Sequence, residues 1–211
     1  MELLGIIWVS LRISLAATTL AALASVPLGF WIAVREFPGK RVVVVILNTL
    51  FSLPTVVVGL FVYGLLSHSG PLGSLKLLYT PAGMTLGQWI LATPVITALT
   101  YAATKGVDER VRPTALTLGA DGWQAGLMVL REARYGLLAA VVAGFGRVIS
   151  EVGAAIMIGG NIRGYTRTIT TAIALETSKG EFQTGLILGV ILLAVALSVN
   201  LFVHAFLRAR P

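Results

Sequence analysis

Five apolar runs divide this chain, and the most highly charged stretch between them, Val107 to Arg134 (VDERVRPTALTLGADGWQAGLMVLREAR), has to lie outside any bilayer that the runs cross. With 56% hydrophobic and only 12% charged residues, and a mean hydropathy of +0.90, the composition falls outside the soluble globular norm. The expected fold is therefore an all-α integral membrane protein with a single transmembrane domain, 1–211. Its spans are expected at about 6–34, 42–66, 86–104, 135–158 and 183–207.

An odd number of spans puts the two ends on opposite sides. With the N-terminus outside, the inner segments hold ten basic residues: Arg35, Lys40, Arg41, Lys105, Arg110, Arg112, Arg131, Arg134, Arg208 and Arg210. The outer segments hold four, Lys76, Arg163, Arg167 and Lys179. The positive-inside rule then predicts N-out, C-in. The net charge of +7 is accounted for by these loops and does not call for a nucleic-acid partner, since the basic residues form no patterned face. Cysteine is absent, which removes disulfide and thiolate chemistry. The first apolar run lacks a basic start and is too long for a leader core, so it reads as a retained span.

Several residues interrupt the apolar runs. Arg12 either snorkels to the outer interface or faces a pore. Pro27 is expected to bend the first helix, and Pro94 falls in the middle of the third. Asn48 and the Ser52-Leu53-Pro54-Thr55 sequence either pack against neighbouring helices or line a path. His68 to Thr85, with Gly70-Pro71, Gly73, Pro81 and Gly83, reads as an outer loop in which His68 is a solvated side chain.

Two regions carry chemistry. In the polar stretch, Pro113 can start a helix, Gly119 can close it, and Trp123, Leu127 and Leu130 recur on one face of a second helix. A docking element and a hairpin lying on the membrane surface both fit that pattern. In the fourth run, Arg147 and Glu151 stand one turn apart and form either a functional interior or a salt bridge locking the bundle. The stretch Gly159 to Phe182 then combines glycine N–H groups, the forked donors of Arg163 and Arg167, and threonine hydroxyls around Asn161 and Thr166, a donor set suited to a tetrahedral oxyanion. A loop with a short surface helix touching a partner protein fits it as well.

Enzyme chemistry has little to stand on. There is no Gly-x-Ser-x-Gly elbow and no His-Glu-x-x-His, and Ser150 with the distant His204 is the only serine–histidine pair to nominate. No Gly-x-x-x-x-Gly-Lys-Ser/Thr run is present, so any ATP must be bound by another subunit.

The sequence Ala115-Leu116-Thr117-Leu118-Gly119-Ala120 resembles the cytoplasmic coupling motif of ABC importer permeases, matching it at Ala115, Gly119 and Ala120 and in the apolar positions downstream. It departs at Pro113, where the motif's glutamate usually stands, and at Arg131-Glu132, where Leu-Pro is common. Glu151-Val152-Gly153-Ala154 followed by Gly160-Asn161-Ile162-Arg163-Gly164-Tyr165-Thr166 resembles the molybdate, sulfate and tungstate permeases. Residues 172–182 (AIALETSKGEF) and Glu132-Ala133-Arg134 look most like the tungstate branch.

The resemblance implies a type I ABC importer permease fold in a prokaryotic cytoplasmic membrane. It implies a homodimer whose coupling residues Ala115, Leu118, Gly119, Ala120, Trp123 and Leu127 meet an ABC ATPase. It also implies a path involving Arg147, Glu151, Asn161, Arg163 and Thr166, and an extracytoplasmic tungstate-binding protein. ATP and Mg would be used by the ATPase, with no cofactor on this chain. A molybdate or sulfate permease of the same architecture, or a stand-alone anion channel or secondary carrier, is the alternative.

Overall fold

A computed structural model describes residues 2–52 and 54–208. Arg210 of the inner basic set lies outside the described residues, as do the side chains of His204 and Arg208. Among the described residues the fold is helical throughout: α1 (Glu2–Val34), α2 (Lys40–Phe51), α3 (Thr55–Leu66), α4 (Pro81–Lys105), α5 (Val111–Thr117), α6 (Gly122–Glu132), α7 (Arg134–Ile149), α8 (Gly153–Gly159), α9 (Ile169–Ser178) and α10 (Phe182–Arg208). The helices α1, α4 and α10 are each long and apolar enough to cross a membrane, and the spans number five if α2 with α3 and α7 with α8 are each one broken span.

Two expectations need correcting. The second and fourth apolar runs are not single helices. Twelve residues each make α2 and α3 about 18 Å long, short of a hydrocarbon core of about 30 Å. Pro54 marks that break in the sequence, because it has no N–H to continue a helix, and it stands before α3 in an extended conformation. The third span begins earlier than expected, at Pro81, taking Pro81, Gly83 and Thr85 out of the loop. Thr80 accepts the Gly83 N–H at 3.1 Å, and proline suits the first helical position. Pro27 lies inside α1, which continues through it for 33 residues.

The chain forms two compact units, residues 1–20, 53–92 and 145–211 in one and 21–52 and 93–144 in the other. In the first, Val58, Val62 and Leu66 of α3 pack with Leu91, Ala154 and Ile158. Helix α3 approaches α8 so closely at Gly59 that an added Cβ would stand 2.8 Å from the Ala154 Cα. Such contact is how helices associate in lipid, where no hydrophobic drive separates one apolar surface from another. Helix α9 joins Ile6 and Leu188 through Ile169 and Ala172. Outward-facing Leu186, Ile187, Val190, Leu193 and Leu197 leave α10 an apolar surface.

In the second unit, α1 meets α4 at Gly29, whose missing side chain leaves room for Thr97 and Thr100. Ser25 donates to the Thr93 carbonyl beside Pro94 at 3.1 Å. The α1 C-terminus is closed by Lys40, whose ammonium donates to the carbonyls of Ala33 (3.2 Å) and Arg35 (2.9 Å) and to Glu36 (2.8 Å). A cation there satisfies orphan carbonyls and complements the helix dipole.

Candidate functional site

The polar stretch folds into α5 and α6, a helical hairpin closed by its own backbone. Leu118 ends α5, Gly119 takes a left-handed φ of 92°, and the N–H groups of Gly119 and Ala120 donate back to Leu116 and Ala115 at 3.1 and 3.0 Å. This pair of bonds is the Schellman closure, and it needs a residue that tolerates positive φ. Two residues later Asp121 accepts from the N–H groups of Trp123 and Gln124, both at 2.8 Å, while the Gln124 side chain accepts the Asp121 N–H at 3.0 Å. That reciprocal capping box starts α6. Pro113 is not the first helical residue, as α5 starts at Val111. It still falls in the first turn, where its missing N–H costs nothing.

The hairpin separates the nominated residues. Ala115 is 6% exposed and faces inward, with Ala125 and Val129. Leu118 (83% exposed) and Trp123 (74%) stand out into solvent together with Leu116 and Met128. Gly119 is exposed and Ala120 half-buried between them. Leu127 and Leu130 border a cleft of 660 Å³ whose far wall is Val26, Phe30 and Trp31 of α1. At the foot of the hairpin Arg110 holds Asp108 in a 2.7 Å ion pair. Hydrogen bonds from the Arg110 side chain, then from its backbone, keep the Asp108 carboxyl below its ordinary range.

The second region sits at the break in the fourth span, where the axis turns by 61° between α7 and α8. Arg147 and Glu151 do not share a helix face, as four-residue spacing had suggested, because Glu151 lies in the break itself. They nevertheless pair, Nη1 to Oε2 at 3.1 Å, with the Glu151 side chain 2% exposed. The other carboxylate oxygen accepts the Ala154 N–H at 3.0 Å, starting α8. The Glu151 carbonyl accepts the Thr170 hydroxyl at 2.7 Å. A buried carboxylate is tolerable when it is both paired and hydrogen-bonded, and this one is.

Beyond α8 the chain turns through Gly160 and Asn161, both with positive φ. Asn161 donates to the Thr171 carbonyl at 3.2 Å and accepts from Arg167 Nε at 3.2 Å. Thr166 is fully buried. Its hydroxyl donates to the Gly159 carbonyl and accepts the Ile162 N–H. Thr168 and Thr171 form the capping box of α9. The threonine hydroxyls expected to face an anion are thus engaged in holding the loop together. Arg163 lies exposed on its outer surface. Nor is α9 the surface helix considered above, for its first four residues are buried.

One residue that holds this region went unnoticed in the sequence. Ser10 of α1 accepts the Ile169 N–H at 2.8 Å while donating to the Ile6 carbonyl at 2.8 Å. It starts a buried stripe, Ser10, Ser14, Ala17, Thr18, Ala21 and Ser25, whose three- and four-residue spacing was the available signal.

Long apolar helices, a capped hairpin presenting bare apolar groups, and a polar break between α7 and α8 define a helical membrane protein with a structured element between its apolar runs. The chain belongs to the family of binding-protein-dependent transport system inner membrane components, which matches residues 25–210. It is 45% identical to the "Probable anion ABC transporter permease protein" of Haloferax volcanii over 92% of this chain and 85% of that one. It is 42% identical to the tungstate uptake system permease protein of Peptoclostridium acidaminophilum, over 90% and 83%. A crystal structure of an amino acid ABC transporter shares the fold, with a TM-score of 0.71, 16% identity, and coverage of 99% of this chain and 94% of that one. The protein is therefore a permease subunit of the cell membrane, and ATP hydrolysis belongs to a separate subunit.

Proposed function

We propose that two copies of this chain form the translocation path of an ATP-driven tungstate importer. The observation carrying this reading is the 42% identity to a tungstate uptake permease across nine-tenths of the chain, alongside 45% identity to an anion permease. The α5–α6 hairpin lies on the cytoplasmic side and meets the ATPase through Leu118, Gly119, Ala120, Trp123 and Leu127, with Ala115 supporting them from beneath. Two strong local closures give it a rigid shape, which suits an element that must pass motion from ATPase to spans. A tungstate-binding protein delivers the ion to the opposite side, near the loop that carries Asn161, Arg163 and Thr166.

With its hydroxyls engaged internally, that loop offers an arriving dianion mainly its exposed backbone. Weak, passing contact of this kind suits conduction, since a tight site would retain the ion. The Arg147–Glu151 pair holds the break in the fourth span and sets where the helices around the path can part.

The test is ATP hydrolysis in liposomes containing this permease, its ATPase and its binding protein, titrated with tungstate, molybdate and sulfate. Tungstate should stimulate at the lowest concentration. Equal response to molybdate would widen the cargo, and stimulation by sulfate alone would replace it.

A further inference from the structure

The geometry points to a binding site for an anionic phospholipid in the cleft between the end of α1 and α6, and we propose that this lipid is a fixed companion of the hairpin. The cleft has a volume of 660 Å³ and is walled by Phe30, Trp31, Val34, Trp123, Leu127 and Leu130, with Arg35 and Arg112 also lining it. Its shape and chemistry run from oil to charge. Phe30 to Val34 are the last turn of an apolar span, and Arg35 is the first residue past its end, so the cleft stands at the level where acyl chains give way to headgroups. Tryptophan on both walls is the side chain suited to that level.

The two guanidiniums are available for a phosphate. Neither Arg35 nor Arg112 forms an ion pair among the described residues. The nearby acids are mostly committed elsewhere: Glu36 to Lys40 at 2.8 Å and Asp108 to Arg110 at 2.7 Å. Glu109 borders a separate, smaller hollow of 180 Å³ that Arg112 also reaches. Forked guanidinium donors match phosphate oxygens in pairs, and basic pockets at the ends of membrane helices recruit acidic headgroups. A soluble anion would leave the apolar walls wet, whereas a lipid fills both halves. Because the same cleft is bordered by Trp123 and Leu127, an occupied site would brace the hairpin from the membrane side while Leu118 remains outward. The inference rests on the chain's membrane placement and not on its cargo.

The full-length permease, delipidated in detergent without its ATPase, is titrated with phosphatidylglycerol or phosphatidylcholine and retained lipid is counted by native mass spectrometry. Phosphatidylglycerol should be retained about thirtyfold more tightly, at roughly one Arg contribution each from Arg35 and Arg112. The double variant R35Q/R112Q should lose that preference, while R41Q, on the neighbouring helix but outside the cleft, should keep it. Gly126→Leu supplies an independent check. A Cβ at Gly126 meets the Phe30 ring only at 3.7 Å, so the larger side chain is accommodated by filling the cleft, and it should evict the lipid with both arginines intact. Equal retention of the two lipids by the wild type overturns the proposal, without using any variant. So does a phosphatidylglycerol preference that survives both R35Q/R112Q and Gly126→Leu, which would place the lipid elsewhere. Competition by glycerol 3-phosphate as strong as by the lipid would also overturn it, assigning the arginines to a soluble anion.

Discussion

The hairpin of α5 and α6 and the loop joining α8 to α9 are both polar interruptions of an apolar chain, yet they are held by opposite means. Every bond that shapes the hairpin's turn is local, reaching no further than from Ala120 to Ala115 or Gln124 to Asp121. The other loop depends on partners far along the chain: Thr170 on the Glu151 carbonyl, Asn161 on the Thr171 carbonyl, and Ile169 on Ser10 of α1, 159 residues away. A locally closed element can leave its large apolar groups exposed without losing its shape. One built from distant partners must bury the polar groups that make those bonds, and Glu151, Thr166, Thr170 and Thr171 are all buried. Substitutions should accordingly damage folding in the second region and association in the first.

The sharpest way to break this comparison is Glu151→Ala. It strands Arg147, uncaps α8 and should cost about 3–5 kcal/mol, read as a large fall in the melting temperature of the detergent-solubilised permease. A melting temperature within a degree or two of wild type would mean that the break is held by packing alone. Ser10→Ala comes next. It leaves the Ile169 N–H without its acceptor in a buried site, for an expected loss of about 1–3 kcal/mol, and hydrogen exchange should quicken at the start of α9 ahead of the rest of the chain.

In the hairpin the expected loss of stability is smaller and the loss of function larger. Gly119→Asp places a side chain at a φ of 92°, at a cost of about 1–2 kcal/mol, so the protein should still insert and purify. Co-purification with the ATPase should nevertheless collapse, and undiminished association would remove the docking role.

The smallest effect concerns pH. A hydrogen bond from Lys40, together with the Lys40 and Lys105 charges, lowers the Glu36 carboxyl from its ordinary value of 4.5. A depressed carboxyl stabilises the fold fully above that ordinary value and loses the contribution as pH falls through the lowered one. Because Glu36 is solvent-exposed, the melting temperature of Glu36→Gln should differ only slightly from wild type at pH 7, and the difference should vanish in acid.

Much of the hairpin was legible from residue types. Gly119 was expected to close a helix and does. The Asp121-x-x-Gln124 spacing is a capping-box signature within what residue types alone mark as a Gly-Ala-Asp-Gly turn. The break before α3 is also marked in the sequence by Pro54, although the apolar run around it is long enough to span as one piece. The break at Ser150–Val152 had no such marker: no proline or helix-ending glycine lies within it. Arg147 and Glu151 were recognised as partners, but the helix between them was assumed.

Composition, the apolar runs and the charge pattern were sufficient to establish a helical membrane protein and to locate the hairpin, because spanning length, helix caps and positive-φ turns depend on neighbours a few residues away. Where the fourth span breaks, which hydroxyls remain open to a ligand, and that α1 reaches the start of α9 were decided only by tertiary structure. The physical reason is that a buried carbonyl or carboxylate takes whichever donor the fold brings to it, and for Glu151 that donor is Thr170, nineteen residues on.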